Sequence, residues 1–236
     1  MSPFAQNATI VLVNGAWSDG SCWRNVILPL RREGLEVGAP IPLTSLTEDI
    51  AALQRVLERT SGPALLAGHA YAGAVIAGPN DDWVKSLVYL AALAPAEGEM
   101  VADIFFRAKP HPDAPNLKPD ANGLIWMPAR GFAQAVAHKA SPDQAAILEA
   151  VQRPIEVKCI QGKLRGRRSP VRGNMRNESI AIVTGASQGI GCARAERLAS
   201  KGAVKTKLTP SDEIEGQCGA PERALQNLPI KENDDV

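Results

Sequence analysis

No stretch of the 236-residue sequence approaches the roughly 20 consecutive apolar residues that a membrane-spanning helix needs, which excludes an integral membrane helix. An excess of charge of either sign is lacking too. With a formal net charge of +1 and 22% charged residues, the chain exerts no global attraction on nucleic acid or membrane. The cysteines Cys22, Cys159, Cys192 and Cys218 lack C-x-x-C spacing, so neither a zinc site nor a disulfide framework is indicated and no metal is expected. They read as reduced structural thiols. Residues Met1 to Ala8 carry no basic segment ahead of an apolar run, and the chain is read as cytoplasmic. Histidine is scarce as well, with only His69, His111 and His138.

What is present is an ordinary apolar content, 45% of residues, enough for one substantial α/β core or one domain with a short appendage. Thr9 to Val13 is a β-branched run ending in Asn14-Gly15, the pattern of a buried parallel strand. Trp23, Val26, Ile27 and Leu30 give residues 22–33 a helical spacing, with Gly34 as a stop before an extended piece over 36–43. Ser45 and Glu48 are spaced as a capping box for a helix over 45–60 carrying Leu46, Ile50, Leu53 and Leu57. Gly62-Pro63 precedes a strand over 64–67, a helix follows over 71–77, and the next strand spans 86–93. Strands alternating with helices in this way predict a parallel sheet with right-handed crossovers.

Between the strand over 64–67 and the helix that follows it lies the most telling hexapeptide, Gly68-His69-Ala70-Tyr71-Ala72-Gly73. It has the form of a strand-to-helix nucleophile elbow, in which small residues permit a tight turn that lifts one side chain over the sheet end. Alanine stands where the serine would be. From Pro95 to about Pro154 the chain changes to proline-rich loops and short amphipathic helices over 130–138 and 142–151, read as an inserted cap. Lys163, Arg165, Arg167, Arg168, Arg172 and Arg176 then form a basic, solvated linker.

Residues 1–162 resemble the α/β-hydrolase superfamily, and within it the small esterases related to plant methylesterases and hydroxynitrile lyases. Asn14-Gly15-Ala16-Trp17 is similar to the family's His-Gly-Ala-Trp oxyanion loop, and residues 68–73 to its Gly-His-Ser-x-Gly-Gly, with Asn14, Ala70 and Ala72 as departures. The resemblance implies that the backbone N–H groups of Ala16 and Tyr71 converge on a substrate oxyanion, and that Ala70 marks the position of a lost nucleophile. It also implies that the chain ends its likeness near Gln161, short of the strands that bring the acid and the base. None of the three histidines falls at the family's catalytic position.

A second signature begins at Ser179-Ile180-Ala181-Ile182-Val183 and runs into Thr184-Gly185-Ala186-Ser187-Gln188-Gly189-Ile190-Gly191. Strand, glycine turn and helix come in the order that a phosphate cradle requires. Residues 178–203 resemble the opening of the short-chain dehydrogenase/reductase family, and the resemblance implies NAD(P) contacts from Thr184, Gly185, Ser187, Gly189, Ile190 and Gly191. That family's catalytic Tyr-x-x-x-Lys is absent, since neither Tyr71 nor Tyr89 is followed by lysine four residues on.

The expected fold class is therefore α/β: a parallel-sheet hydrolase-like core with a helical cap, incomplete at its C-terminal side, plus a Rossmann-like βα unit. Residues 1–162 form the core with the cap at about 95–154, 163–177 a linker, 178–203 the βα fragment and 204–236 a polar, partly disordered tail. Strand 179–184 is expected to dock beside strand 86–93 and fill the edge left by the missing hydrolase strand. The expected function is that of a degenerate carboxylesterase-like hydrolase that binds a small apolar or ester-like ligand without turnover and needs no cofactor for that part. The alternatives are an NAD(P)-binding fragment and a fusion product without a role. No nucleic-acid or membrane partner is expected.

Overall fold

The run of β-branched residues at Thr9–Val13 forms β1, buried on both faces as parallel strands with helices on either side must be. The computed structural model describes residues 9–32, 36–37, 40–60, 62–79, 81–106, 115–137, 140–165 and 181–184. After β1 a single 3₁₀ turn, Gly20–Trp23, capped by the Asp19 carboxylate, leads into α1 (Arg24–Arg32). The helical spacing from residue 22 thus resolves into two helix types. Among the described residues, the extended piece expected over 36–43 contains a strand at β2 (Glu36–Val37). Pro40 and Pro42 have no N–H to donate and cannot carry a ladder further.

Ser45 caps α2 (Leu46–Leu57), its hydroxyl accepting from the Glu48 N–H at 3.1 Å. Then come β3 (Ala64–His69), α3 (Ala72–Ile76) and β4 (Val84–Leu90). The strand expected over 86–93 starts two residues earlier and ends at Leu90, because the chain enters the left-handed region at Ala91 (φ 43). Over the stretch expected as a cap lie α4 (Val101–Phe105), β5 (Leu124–Ile125), α5 (Ala129–Gly131) and α6 (Pro142–Ala150), and β6 (Ile155–Glu156) and α7 (Val157–Gln161) follow. The helix expected over 130–138 is broken into α5 and a π-helical turn, Phe132–Val136, in which the Ala137 N–H reaches back five residues to the Phe132 carbonyl.

The last described strand is β7 (Ala181–Thr184). The main sheet runs β2-β1-β3-β4-β7 with every pairing parallel. β7 lies against β4 in the register Leu87 to Ala181 through Leu90 to Thr184, as expected from the open sheet edge. One face of the sheet carries Val11, Val13 and Leu66 against Leu46, Leu53, Leu57 and Val75 of α2 and α3. The other carries Leu12 and Ala67 against Trp23, with Val26, Ile27 and Leu30 of α1 packed on them. β5 and β6 form a separate antiparallel ribbon. Among the described residues no helix is long and apolar enough to cross a membrane.

Candidate functional site

The hexapeptide from Gly68 to Gly73 makes the sharp strand-to-helix turn that its small residues permit. A Cβ at Gly68 would stand 2.7 Å from the Ala72 carbonyl oxygen, and one at Gly73 would overlap the Leu93 carbonyl oxygen. Both positions are closed to any larger residue. Between them Ala70 sits at φ 51, in the left-handed region that a non-glycine residue occupies only under constraint. The constraint is visible: the Ala70 N–H donates to the Leu90 carbonyl at 3.3 Å, and its own carbonyl accepts from Leu93 at 2.8 Å and Gly73 at 3.2 Å.

The loop after β1 meets this turn. A Cβ at Gly15 would fall 3.0 Å from the His69 carbonyl oxygen and 3.2 Å from the Ala70 Cβ, so the two loops are in contact at the carboxyl ends of adjacent strands. Asn14, 1% exposed, holds the loop by donating from Nδ2 to the Ser18 carbonyl at 2.7 Å and the Gly15 carbonyl at 3.2 Å. Asparagine thus supplies the loop's internal hydrogen bonding where the resembling family has histidine. Ala16 and Tyr71 lie on the two touching loops. Among the described residues no group accepts from the backbone N–H of either.

The Tyr71 side chain turns into the core, where its hydroxyl donates to Asp49 Oδ2 at 2.7 Å. Asp49, fully buried in α2, also accepts from the Leu43 N–H at 2.7 Å and from Cys159 Sγ at 3.6 Å. Burial pushes the Asp49 carboxyl above its usual range, against the pull of its hydrogen bonds and of Arg153. Burial and the Asp49 charge push the Tyr71 phenol far above its usual range, and the Cys159 thiol up to about 12. This cluster was not singled out by the sequence reading. Its signal was there, since Asp49 falls on the same helical face as Leu46 and Leu53.

His69 closes β3 with its Nε2 enclosed and, among the described residues, unpartnered, and burial lowers its pKa to about 4. The alternation of β3 places its side chain on the sheet face of Leu65 and Ala67, the α1 side. The imidazole is neutral at pH 7. His111 and His138 lie outside the described residues. Of the proposed dinucleotide contacts only Thr184 is described, level with Leu90 and His69 at the same sheet end as Ala70. Gly185, Ser187, Gly189, Ile190 and Gly191 fall outside the described residues. No group of three or more His, Cys, Asp and Glu side chains fit to hold a metal occurs among the described residues.

Comparison with known proteins gives concordant results. A sequence profile of the family described as "Alpha/beta hydrolase family" matches residues 10–204, a span that includes β7. The carbendazim hydrolyzing esterase of Nocardioides sp. (strain SG-4G) is 31% identical over 119 residues, 44% of this chain and 49% of that protein. The chain thus matches about half the length of this curated relative. A single-residue mutant of tomato methylketone synthase I superposes with a TM-score of 0.65 at 16% identity, over 92% of this chain and 94% of that one. A pyrethroid hydrolase from Sphingobium faniae JZ-2 does so with a TM-score of 0.62 at 17% identity, over 92% and 93%.

Proposed function

The chain belongs to the alpha/beta hydrolase family, and from that premise we propose that it is an esterase-like member that binds a small apolar or ester-like ligand beneath its cap and does not turn it over. The observation that carries this reading is Ala70 at φ 51 between Gly68 and Gly73, an elbow built to present a nucleophile that presents a methyl group. The pair of N–H groups at Ala16 and Tyr71 supports ligand binding. Such donors, aimed at the place where negative charge gathers, are worth about 3 kcal/mol each in acyl transfer and hold a carbonyl or carboxylate oxygen without any nucleophile. His69 is no substitute base, since its Nε2 is enclosed on the α1 side of the sheet and its basicity is suppressed. In a well-studied triad protease, losing the serine or the histidine alone costs about a factor of 10⁶ in turnover.

The test is hydrolysis of p-nitrophenyl acetate and butyrate by the purified chain. Turnover indistinguishable from the enzyme-free blank, and little rescue in Ala70→Ser, is expected. Enzyme-like saturation kinetics in the unaltered chain would overturn the claim of inactivity.

A second reading is favoured by one observation, the docking of β7 on β4, which brings Thr184 to the sheet end of Ala70. On this reading residues 178–203 derive from a short-chain dehydrogenase/reductase and bind NAD(P) at the turn from Thr184 to Gly191, without hydride transfer. Saturable NAD(H) or NADP(H) binding lost on Gly189→Val supports it; absence of binding at millimolar cofactor removes it. A cytoplasmic setting accords with the buried thiols Cys22 and Cys159.

A further inference from the structure

Ala16 and Tyr71 are joined by a second route besides the contact of their loops. The Trp17 indole Nε1–H, next in chain to Ala16, donates to the Ile125 carbonyl of β5 at 2.9 Å. Ile125 pairs with Ile155 across the β5–β6 ribbon. The following residue, Glu156, donates its N–H to the Leu43 carbonyl at 3.0 Å. Leu43 donates in turn to Asp49 Oδ1, and Asp49 Oδ2 receives the Tyr71 hydroxyl, both at 2.7 Å. Arg153 braces the middle of this circuit by donating to the Ile41 and Pro42 carbonyls at 3.0 and 3.2 Å.

Three of the four non-glycine residues in the left-handed region among the described residues, Trp17 (φ 58), Leu43 (φ 63) and Ala70 (φ 51), lie on this circuit or on the turn that it closes. Backbone in that region persists only where its surroundings over-determine it. A hydrogen-bonded circuit through three distant segments supplies that over-determination. β5 lies in the stretch expected as the cap and β6 at its end, so the ribbon ties that stretch to the two backbone donors as one mechanical unit.

We propose that the β5–β6 ribbon is a strap that sets the relative position of the Ala16 and Tyr71 N–H groups, with Trp17 and Asp49 as positioning residues. Anything that lifts the cap then loosens the pair, and a ligand that engages both donors tightens the ribbon. The choice of these two N–H groups as the point of interest rests on the proposed ligand-binding function; the mechanical coupling does not.

The experiment uses the full chain labelled with ¹⁵N and follows the amide signals of Ala16, Leu43, Tyr71 and Ile125 and the Trp17 indole N–H. Trp17→Phe keeps an aromatic ring and removes the donor; the expected result is a shift at Tyr71 and Leu43 as well as at Ile125. Tyr71→Phe probes from the other end, and is expected to shift the Trp17 indole signal; it carries the test alone should Trp17→Phe not fold. Trp126→Phe, at an exposed position immediately after β5, should leave Tyr71 unmoved. Shifts confined to the neighbourhood of each substitution overturn the strap. Butyrate is the ligand probe, with binding expected to weaken about fivefold in Trp17→Phe, the size of one neutral hydrogen bond. If butyrate moves neither Ala16 nor Tyr71 in the unaltered chain while the two ends still respond to each other, the strap stands and the ligand-binding proposal falls.

Discussion

The enclosed Nε2 of His69 makes stability depend on pH in a calculable way. In the folded chain its pKa is about 4, against an ordinary 6.5, because burial penalises the charged ring. Between these values the unfolded chain binds a proton that the folded one refuses. Stability is therefore fully present above about pH 6.5 and is lost as the pH falls towards 4, below which both states are protonated. At about 1.4 kcal/mol for each tenfold change in proton affinity, the total loss is at most about 3 kcal/mol, of which about 1 kcal/mol has gone by pH 5.5. His69→Gln removes the titration and keeps a polar side chain. Urea unfolding followed by fluorescence of Trp17, Trp23, Trp83 and Trp126 gives the stability of both chains at pH 7.5, 5.5 and 4.5. Asp49, whose raised carboxyl pKa works in the opposite sense by favouring the fold at low pH and losing that contribution as the pH rises, is common to both and cancels in their difference. The expected difference grows towards acid by about 2 to 3 kcal/mol. A difference that is flat with pH refutes the enclosure of Nε2.

Gly73→Ala forces a methyl into the Leu93 carbonyl and to within 2.7 Å of the Ala92 Cβ; a loss of about 3 kcal/mol in the same urea assay is expected, since backbone rather than a flexible side chain must move. Asp49→Ala strands the Leu43 N–H and the Tyr71 hydroxyl in the core, for a cost of about 3 kcal/mol, whereas Asp49→Asn keeps an acceptor and should recover much of it; equal losses in the two would count against the hydrogen-bond account. Hydrogen exchange should find slowed amides within Ala181–Thr184, in step with those of β4. Uniformly fast exchange across those four residues contradicts the docking.

Local pattern made some of this architecture legible and left other parts invisible. Strands β1 and β3, helix α2 and the elbow are each written in contiguous residues: an apolar run, a three- and four-residue period behind Ser45, and glycines at the two positions where a Cβ has no room. The docking of β7 was also readable, because a β-branched strand followed by a glycine turn has the form of its neighbour and the sheet lacked one. The β5–β6 ribbon was not. Each of its strands has two residues, too few for alternation to register, and the bond that ties it to the elbow joins Trp17 to a carbonyl 108 residues away. Asp49 was hidden differently: an acid on an apolar helix face reads as noise until Tyr71 and Leu43 are seen to converge on it. At Asn14 the departure from the resembling motif is plain in sequence, while its two bonds within the loop depend on how that loop folds.

The seat of β7 on β4 also bears on how the chain survives its own synthesis. β4 leaves the ribosome long before β7, and at roughly 5 to 20 residues per second the interval is several seconds. Throughout it the core of β1, β3 and β4 can assemble while one side of β4 offers unpaired N–H and carbonyl groups to whatever strand arrives first, including that of a neighbouring nascent chain. The four residues from Ala181 to Thr184 then act as an internal stopper, closing that side of β4 once they arrive.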